Sequence, residues 1–366
     1  MTAPFRSAHP AGLMLAIGGL ALGGGAALLM PDLTVPAGDV VHGPVLVLGF
    51  VGTLVALERA IALRVRWALL APGCALLGGL VLLAVGPAPL GQVMLATGGV
   101  VLLMTHVAHW RRQPSVALLG QAAGAFAWYA ATLLWLGGFS VAETVPWLVG
   151  FVAFTFAGKR LEFAPAHAQP WFLAVLLGLL TGLLATTLWP ASGPYLFGLA
   201  LLALVAWLVV YDVARHVIRA TGLPRYVAVG LLGGYGWLAF AGLLWAGAGP
   251  VAEGPRYDVT LQAVFIGFAL SMVVAHVPVT LPLLLSRPLP YHPTLYLPLV
   301  LLHLTLLIRL GAHLLDLATV VRWSGVGAIV TVVAFLACVV TLAARAPALP
   351  AMPAAPVGAA PSGVPR

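Results

Sequence analysis

Apolar residues fill this chain in long blocks, each broken by a short stretch of charge, Pro or Gly. The hydrocarbon core of a bilayer takes about 20 apolar residues per helix, and blocks of that length follow one another almost from end to end. Within a block there is no alternation: Trp171 to Trp189 and Tyr195 to Val210 are apolar on every face. Barrel strands would read as segments of about ten residues with alternating polarity, and in lipid an open strand would leave its backbone groups unpaired. The pattern therefore predicts an all-α, polytopic integral membrane protein. Its twelve predicted spans are 11–30, 41–63, 67–86, 89–110, 115–138, 141–158, 170–189, 194–217, 225–247, 258–285, 294–315 and 321–344. The first is too long, and too poor in a small-residue cleavage site near a charged start, to read as a signal peptide. One transmembrane helical domain over 1–345 follows. The Ala/Pro-rich residues 346–366 read as a disordered tail, because their prolines block a helix and their apolar content is too small for a core.

Composition removes the soluble alternatives. Of 366 residues, 62% are hydrophobic and 7% charged, against about a quarter charged in an average soluble domain. Cys74 and Cys338 fall inside predicted spans and read as small apolar side chains. The chain has no Walker A loop, H-E-x-x-H, C-x-x-C, C-x-x-C-H or G-x-S-x-G sequence, so nucleotide and hydrolase chemistry have no foothold. No set of residues identifies a nucleophile, an acid and a base.

Charge sets the orientation. One set of alternate loops and ends carries Arg6, Arg64, Arg66, Arg111, Arg112, Lys159, Arg160, Arg215, Arg219, Arg225, Arg287 and Arg345, while the other carries Asp32, Asp39, Glu143, Glu253, Asp258 and Asp316, with only Arg256 and Arg322 among them. Lys and Arg in short loops stay in the cytoplasm, so the Arg-rich side, with both termini, is expected there. The formal charge of +8 then reads as topology and as contact with the anionic lipid bilayer surface, with no basic domain on which nucleic acid could dock.

Ionisable groups inside a bilayer usually face a cavity or a partner, and four sets stand out. Toward the outer side, Asp39 and His42 enter span two, and Arg309, His313 and Asp316 sit on span eleven at i, i+4 and i+7, one helical face. That stripe suits an anion clamp, such as one for a haem propionate, with a neutral His beside it, or an interfacial salt bridge. Deeper, His276 and His303 share one depth on neighbouring spans, near the helix breakers Pro278 and Pro282; they suit haem iron or copper, or helix-packing hydrogen bonds. His106 and His109, beside Trp110, Arg111 and Arg112, read as an interfacial anchor. Glu58 with Arg59, Lys159 and Arg160 with Glu162, and Asp212 with Arg215 and His216 read as structural ion pairs fixing the bundle at its cytoplasmic end.

The run His42-Gly43-Pro44-Val45-Leu46-Val47-Leu48-Gly49-Phe50, and the stretch Phe265 to Arg309 with Gly267, Arg287-Pro288-Leu289 and Ile308-Arg309, resemble segments of NnrS-type proteins, twelve-helix bacterial membrane proteins associated with haem, copper and the response to nitric oxide. The resemblance covers about a fifth of the chain and implies a bacterial inner-membrane protein. It would bind haem and/or copper through a subset of His42, His276, His303 and His313, with His42, His276 and His303 as metal ligands and Arg309 as the anion clamp, and act in nitrosative or respiratory stress. Gln262 stands where that family carries a His, and Pro290-Tyr291-His292-Pro293 replaces its Gly-His-Thr-Gly turn, so different axial ligands are expected. Spans six and seven hold no His, which argues against a binuclear haem–copper centre. Two other readings stand beside this one: a cofactor-free permease for a small solute or ion, with Pro278 and Pro282 marking a broken helix, and a non-catalytic subunit or assembly partner of a respiratory complex.

The orientation is checked by reporter fusion. A fluorescent protein fused after Arg366 is expected to fluoresce and alkaline phosphatase at the same place to be inactive; an active phosphatase there inverts the topology.

Overall fold

The computed structural model describes residues 41–285 and 290–345. The predicted span 11–30 and the tail 346–366 lie outside the described residues. Among those described there is no strand, and eleven helices are long and apolar enough to cross a membrane. They are α1 (Val45–Leu63), α2 (Arg66–Val85), α3 (Pro89–Trp110), α4 (Val116–Leu136), α5 (Val141–Leu161), α6 (Ala166–Leu188), α7 (Gly193–Tyr211), α8 (Leu223–Ala248), α9 (Gly254–Thr280), α10 (Pro293–Leu314) and α11 (Ala318–Arg345). They match predicted spans two to twelve.

Local chemistry sets several of the ends. Ser140 and Glu143 form a capping box that starts α5, and the Ser115 hydroxyl accepts from Leu118 N to start α4; both satisfy N–H groups that have no helical partner. Pro stands in the first turn of α3, α7 and α8, where its missing N–H is harmless. Arg64 closes α1 in the left-handed region at φ 59°, and the Arg112 guanidinium donates to the exposed carbonyl of Leu63 at 2.8 Å.

Consecutive helices lie side by side, and α5 runs through the middle. In its apolar window 83% of residues are buried, against 22% for α11, so α5 is enclosed by protein and α11 lies at the rim. Outward faces are apolar: Leu77, Met104, Leu177, Leu199, Leu243, Leu304 and Val340 are all exposed, which suits lipid and would be an aggregation liability in water. Side chains with one polar atom knit the interior. The Trp128 indole donates to Leu95 O at 2.9 Å while its ring lies over Gly52, where a Cβ would come within 2.8 Å of it.

Three departures from simple helix carry physical reasons. Predicted span eight, 194–217, is broken: α7 stops at Tyr211, Asp212 is extended, and a short helix follows at Ala214–Val217. The Asp212 carboxylate is drawn inward by Arg160 and also accepts Ala214 N at 2.8 Å, so the chain turns around it. The prolines of span ten sit inside the helix Ser271–Leu285. Pro278 has no N–H for the carbonyl of Val274, and the Tyr226 hydroxyl of α8 donates to that carbonyl instead, at 3.2 Å, the kind of substitute partner that makes Pro tolerable in a membrane helix. Finally, Val45–Val51 in α1 and Gln262–Leu270 in α9 are π-helical, a rare geometry that marks functional sites more often than chance.

The Arg160–Asp212 pair is the buried pin of this architecture. Asp212→Ala leaves the Arg160 guanidinium buried without a counter-charge and is expected to lower unfolding stability in detergent by about 3–5 kcal/mol, while Arg160→Met with Asp212→Leu recovers most of it. A single variant as stable as wild type would show that the pin is dispensable.

Candidate functional site

The densest polar cluster lies at the Arg-rich end, around the last turn of α5. From Thr144 to Leu161 only Lys159 escapes burial. Its ammonium donates to Glu58 Oε1 of α1, and the same oxygen accepts from Arg59 Nη2 at 2.9 Å. Arg59 Nη1 donates to Gln121 Oε1 of α4 at 2.8 Å, and Gln121 Nε2 donates to Glu162 Oε1 at 2.9 Å. One residue on, Arg160 makes a two-point contact with Asp212, at 2.6 and 2.7 Å, and the Tyr235 hydroxyl of α8 donates to the same carboxylate at 2.5 Å. Charge-assisted, two-point pairs of this kind are the strong ones.

Glu58 differs from the other acids. Oε1 takes both cations, whereas Oε2 has no partner among the described residues, and 36% of the side chain remains accessible. His276 of α9 lies toward the same end of α5: its ring is 6.3 Å from that of Phe156, one turn before Lys159. His276 Nδ1 is 2.7 Å from Met272 O; a carbonyl only accepts, so Nδ1 carries the proton and Nε2 keeps an open lone pair. His106 repeats this geometry, with Nδ1 2.9 Å from Leu102 O, and its Nε2 is buried with no partner among the described residues.

The other histidines are placed differently. The Trp237 indole, which only donates, gives its proton to His303 Nδ1 at 3.0 Å. In the neutral ring Nε2 must then hold the proton, so it has no lone pair for a metal, and it packs where a Cβ on Gly233 would stand, 2.7 Å away. Equal depth on neighbouring spans does not make His276 and His303 face each other: one turns to α5 and the other to α8. His42 opens the helical turn before α1, and its side chain lies outside the described residues.

Arg309 and His313 do lie together, but Asp258 of α9 holds both. Arg309 donates to the two Asp258 oxygens at 2.6 Å each, and its Nη1 reaches Val321 O and Ser324 Oγ at 3.1 Å. His313 Nε2 is 2.6 Å from Asp258 Oδ2. The expected anion clamp is thus closed by an internal anion that ties α9, α10 and α11. Asp316 leaves the face it was expected to share, because α10 ends first and Asp316 turns into the left-handed region at φ 54°.

The expected ion-pair residues are rearranged more than replaced. Arg160 pairs with Asp212 across the bundle, Glu162 is reached through Gln121, and Arg215 donates to its neighbour His216 at 3.0 Å on the surface. Asp258 and His276 are 18 residues apart on α9, about 27 Å at α-helical rise, so His313 and His276 cannot share one ion. No group of three His, Cys, Asp or Glu among the described residues is placed to hold a metal. For haem or copper, His276 offers one imidazole ligand, while His303 and His313 are engaged elsewhere, by Trp237 and Asp258. Sequence reasoning missed the parts played by Gln121, Asp258, Tyr235 and Trp237. Gln121 and Asp258 carried a signal, as polar side chains within apolar blocks, while Tyr and Trp were invisible among many.

These features define a class: a bundle of many helices long and apolar enough to cross a membrane, with a cluster of paired charges at its basic end. Residues 7–344 match the family described as Domain of unknown function (DUF8744), and the chain belongs to that family. No curated protein and no solved structure matches it.

Tautomers provide the check. Nitrogen NMR of histidine-labelled protein is expected to show His303 as the Nε2–H form and His106 and His276 as Nδ1–H forms; an Nδ1–H signal for His303 would remove the Trp237 contact and restore its lone pair.

Proposed function

We propose that this protein is a multi-pass carrier of a bacterial inner membrane, with its Arg-rich end and both termini in the cytoplasm, which moves a small polar solute or ion past Glu58 of α1, Lys159 of α5 and His276 of α9. The observation that carries this reading is the half-buried Glu58, whose Oε1 holds Lys159 and Arg59 while Oε2 is unengaged among the described residues, together with the open Nε2 lone pair of His276. Ion pairs that serve only to hold helices together are saturated, as Arg160–Asp212 and Arg309–Asp258 are; this one is left half open. The π-helical segments support the reading, since they lie in α1 and α9, the helices that carry Glu58 and His276, and π-helical turns are frequent at functional sites.

A second reading has its own observation. With Nδ1–H held by Met272, His276 presents a neutral Nε2, the form that ligates metals. On that reading His276 holds haem iron or copper, and the protein, as the resemblance to NnrS-type proteins implies, serves in nitric oxide or respiratory stress. Bound there, the group would supply redox chemistry or capture of nitric oxide.

Two measurements on one preparation separate the readings. Protein expressed with haem precursor and copper, then purified in mild detergent, is expected on the carrier reading to lack stoichiometric haem and copper. In proteoliposomes on a solid-supported membrane it should give solute-driven currents that fall by about tenfold, one hydrogen bond's worth of about 1.4 kcal/mol, in His276→Gln. A Soret band or stoichiometric copper lost in His276→Ala, without any current, would replace the carrier reading by the second.

A further inference from the structure

Three helices of the bundle carry one pattern. Gly49-Phe50 in α1, Gly150-Phe151 in α5 and Gly267-Phe268 in α9 are each followed, nine positions after the Gly, by an ionisable residue: 49 to Glu58, 150 to Lys159, 267 to His276. The three helices are every fourth one in an up-and-down chain, so they run in the same direction, and the ionisable side chain follows its motif Gly by the same number of residues in each.

The packing repeats with the sequence. The helix before α5 lays Gly120 and Gly124 against it: a Cβ on Gly124 would come within 2.9 Å of Phe151 O, and one on Gly120 within 3.0 Å of Gly158 Cα. The helix before α9 lays Gly230 and Gly234 against it in the same register, with distances of 3.4 Å from a Gly234 Cβ to Phe268 O and 2.9 Å from a Gly230 Cβ to Ala275 Cβ. Phe151 and Phe268 each follow the motif Gly by one position, and Gly158 and Ala275 by eight. Equivalent residues thus make equivalent contacts, which marks α4–α5 and α8–α9 as copies of one helix pair.

We propose that Glu58, Lys159 and His276 form a single three-sided binding centre, built by repetition of a four-helix unit, for a small solute that bears both a cationic donor and a carboxylate, the chemistry of an amino acid. The proposal rests on the carrier reading and names its substrate class. Glu58 Oε2 and His276 Nε2 are acceptors for the N–H groups of an ammonium, and Lys159, with three N–H donors of which Glu58 uses one, serves a carboxylate. In the empty site the acid and the base satisfy each other. A purely cationic ligand would take Glu58 and leave the Lys159 ammonium without its partner, and a purely anionic one would take Lys159 and leave Glu58 to Arg59 alone. A ligand with both charges replaces both halves of the pair. The flanking charges are already engaged, Arg160 by Asp212 with Tyr235 and Arg59 by Glu58 Oε1 and Gln121 Oε1. Phe156 supplies an apolar wall beside His276.

The test is calorimetric titration of the purified full-length protein with each proteinogenic amino acid, with methylammonium and acetate as the two half-ligands. At least one amino acid is expected to bind more than about tenfold tighter than either half-ligand. Glu58→Gln and Lys159→Gln should each abolish the preference, and the exchange Glu58→Lys with Lys159→Glu should restore part of it. Size-exclusion profiles matching wild type establish that the variants fold, and the exchange keeps the test decisive if a single variant does not. Acetate or methylammonium binding as tightly as every amino acid, or no amino acid binding to folded wild type, overturns the proposal. An amino acid bound but not carried across liposomes overturns the carrier reading alone, and another solute carried with no amino acid bound overturns this proposal alone.

Discussion

The central helix ends in two adjacent cations, Lys159 and Arg160, inside a bundle where neither could stay unpaired. An unmatched charge in such a place costs several kcal/mol, so the neighbouring helices must arrive with acids at the right height. Asp212 meets Arg160, and doing so ends α7 at Tyr211, before the short helix Ala214–Val217. Tyr235 fixes α8 to the same carboxylate. Glu58 meets Lys159 and sets the depth of α1, and Gln121 joins Arg59 to Glu162, bringing in α4. The positions of four helices around α5 follow from this one requirement.

The two ends of the bundle answer it differently. Far from α5, Asp258, Arg309, His313 and Ser324 satisfy one another completely, and the result is a lock between α9, α10 and α11. Near α5 the same kinds of residue leave an oxygen of Glu58 and a nitrogen of His276 without partners among the described residues. A helix bundle in lipid gains little from apolar packing between helices, so polar contacts carry much of its specificity. An unspent contact in such a structure is therefore more informative than one in a water-soluble core, where water would fill the gap.

The described helices and nearly all their ends were legible in the sequence, because a bilayer imposes length and apolarity on each span separately and these are one-dimensional properties. The exception is instructive: the helix read as running to residue 217 stops at Tyr211, because Asp212 answers a guanidinium 52 residues away. The ionisable candidates were legible too, since charge in an apolar block stands out. Their partners were not. Arg309 and His313 were read with Asp316, which is close along the helix, whereas their partner is Asp258 on another helix; His276 and His303 share a depth yet turn to opposite neighbours.

By itself the sequence determined that this is a chain of apolar helices with a basic side and an acidic side, and which side chains would be expensive to bury. Tertiary structure alone decided which of those side chains meet and which nitrogen of each imidazole keeps its lone pair. The reason is geometric: height along a helix can be counted from the sequence, but the direction a side chain faces depends on how every other helix has packed around it.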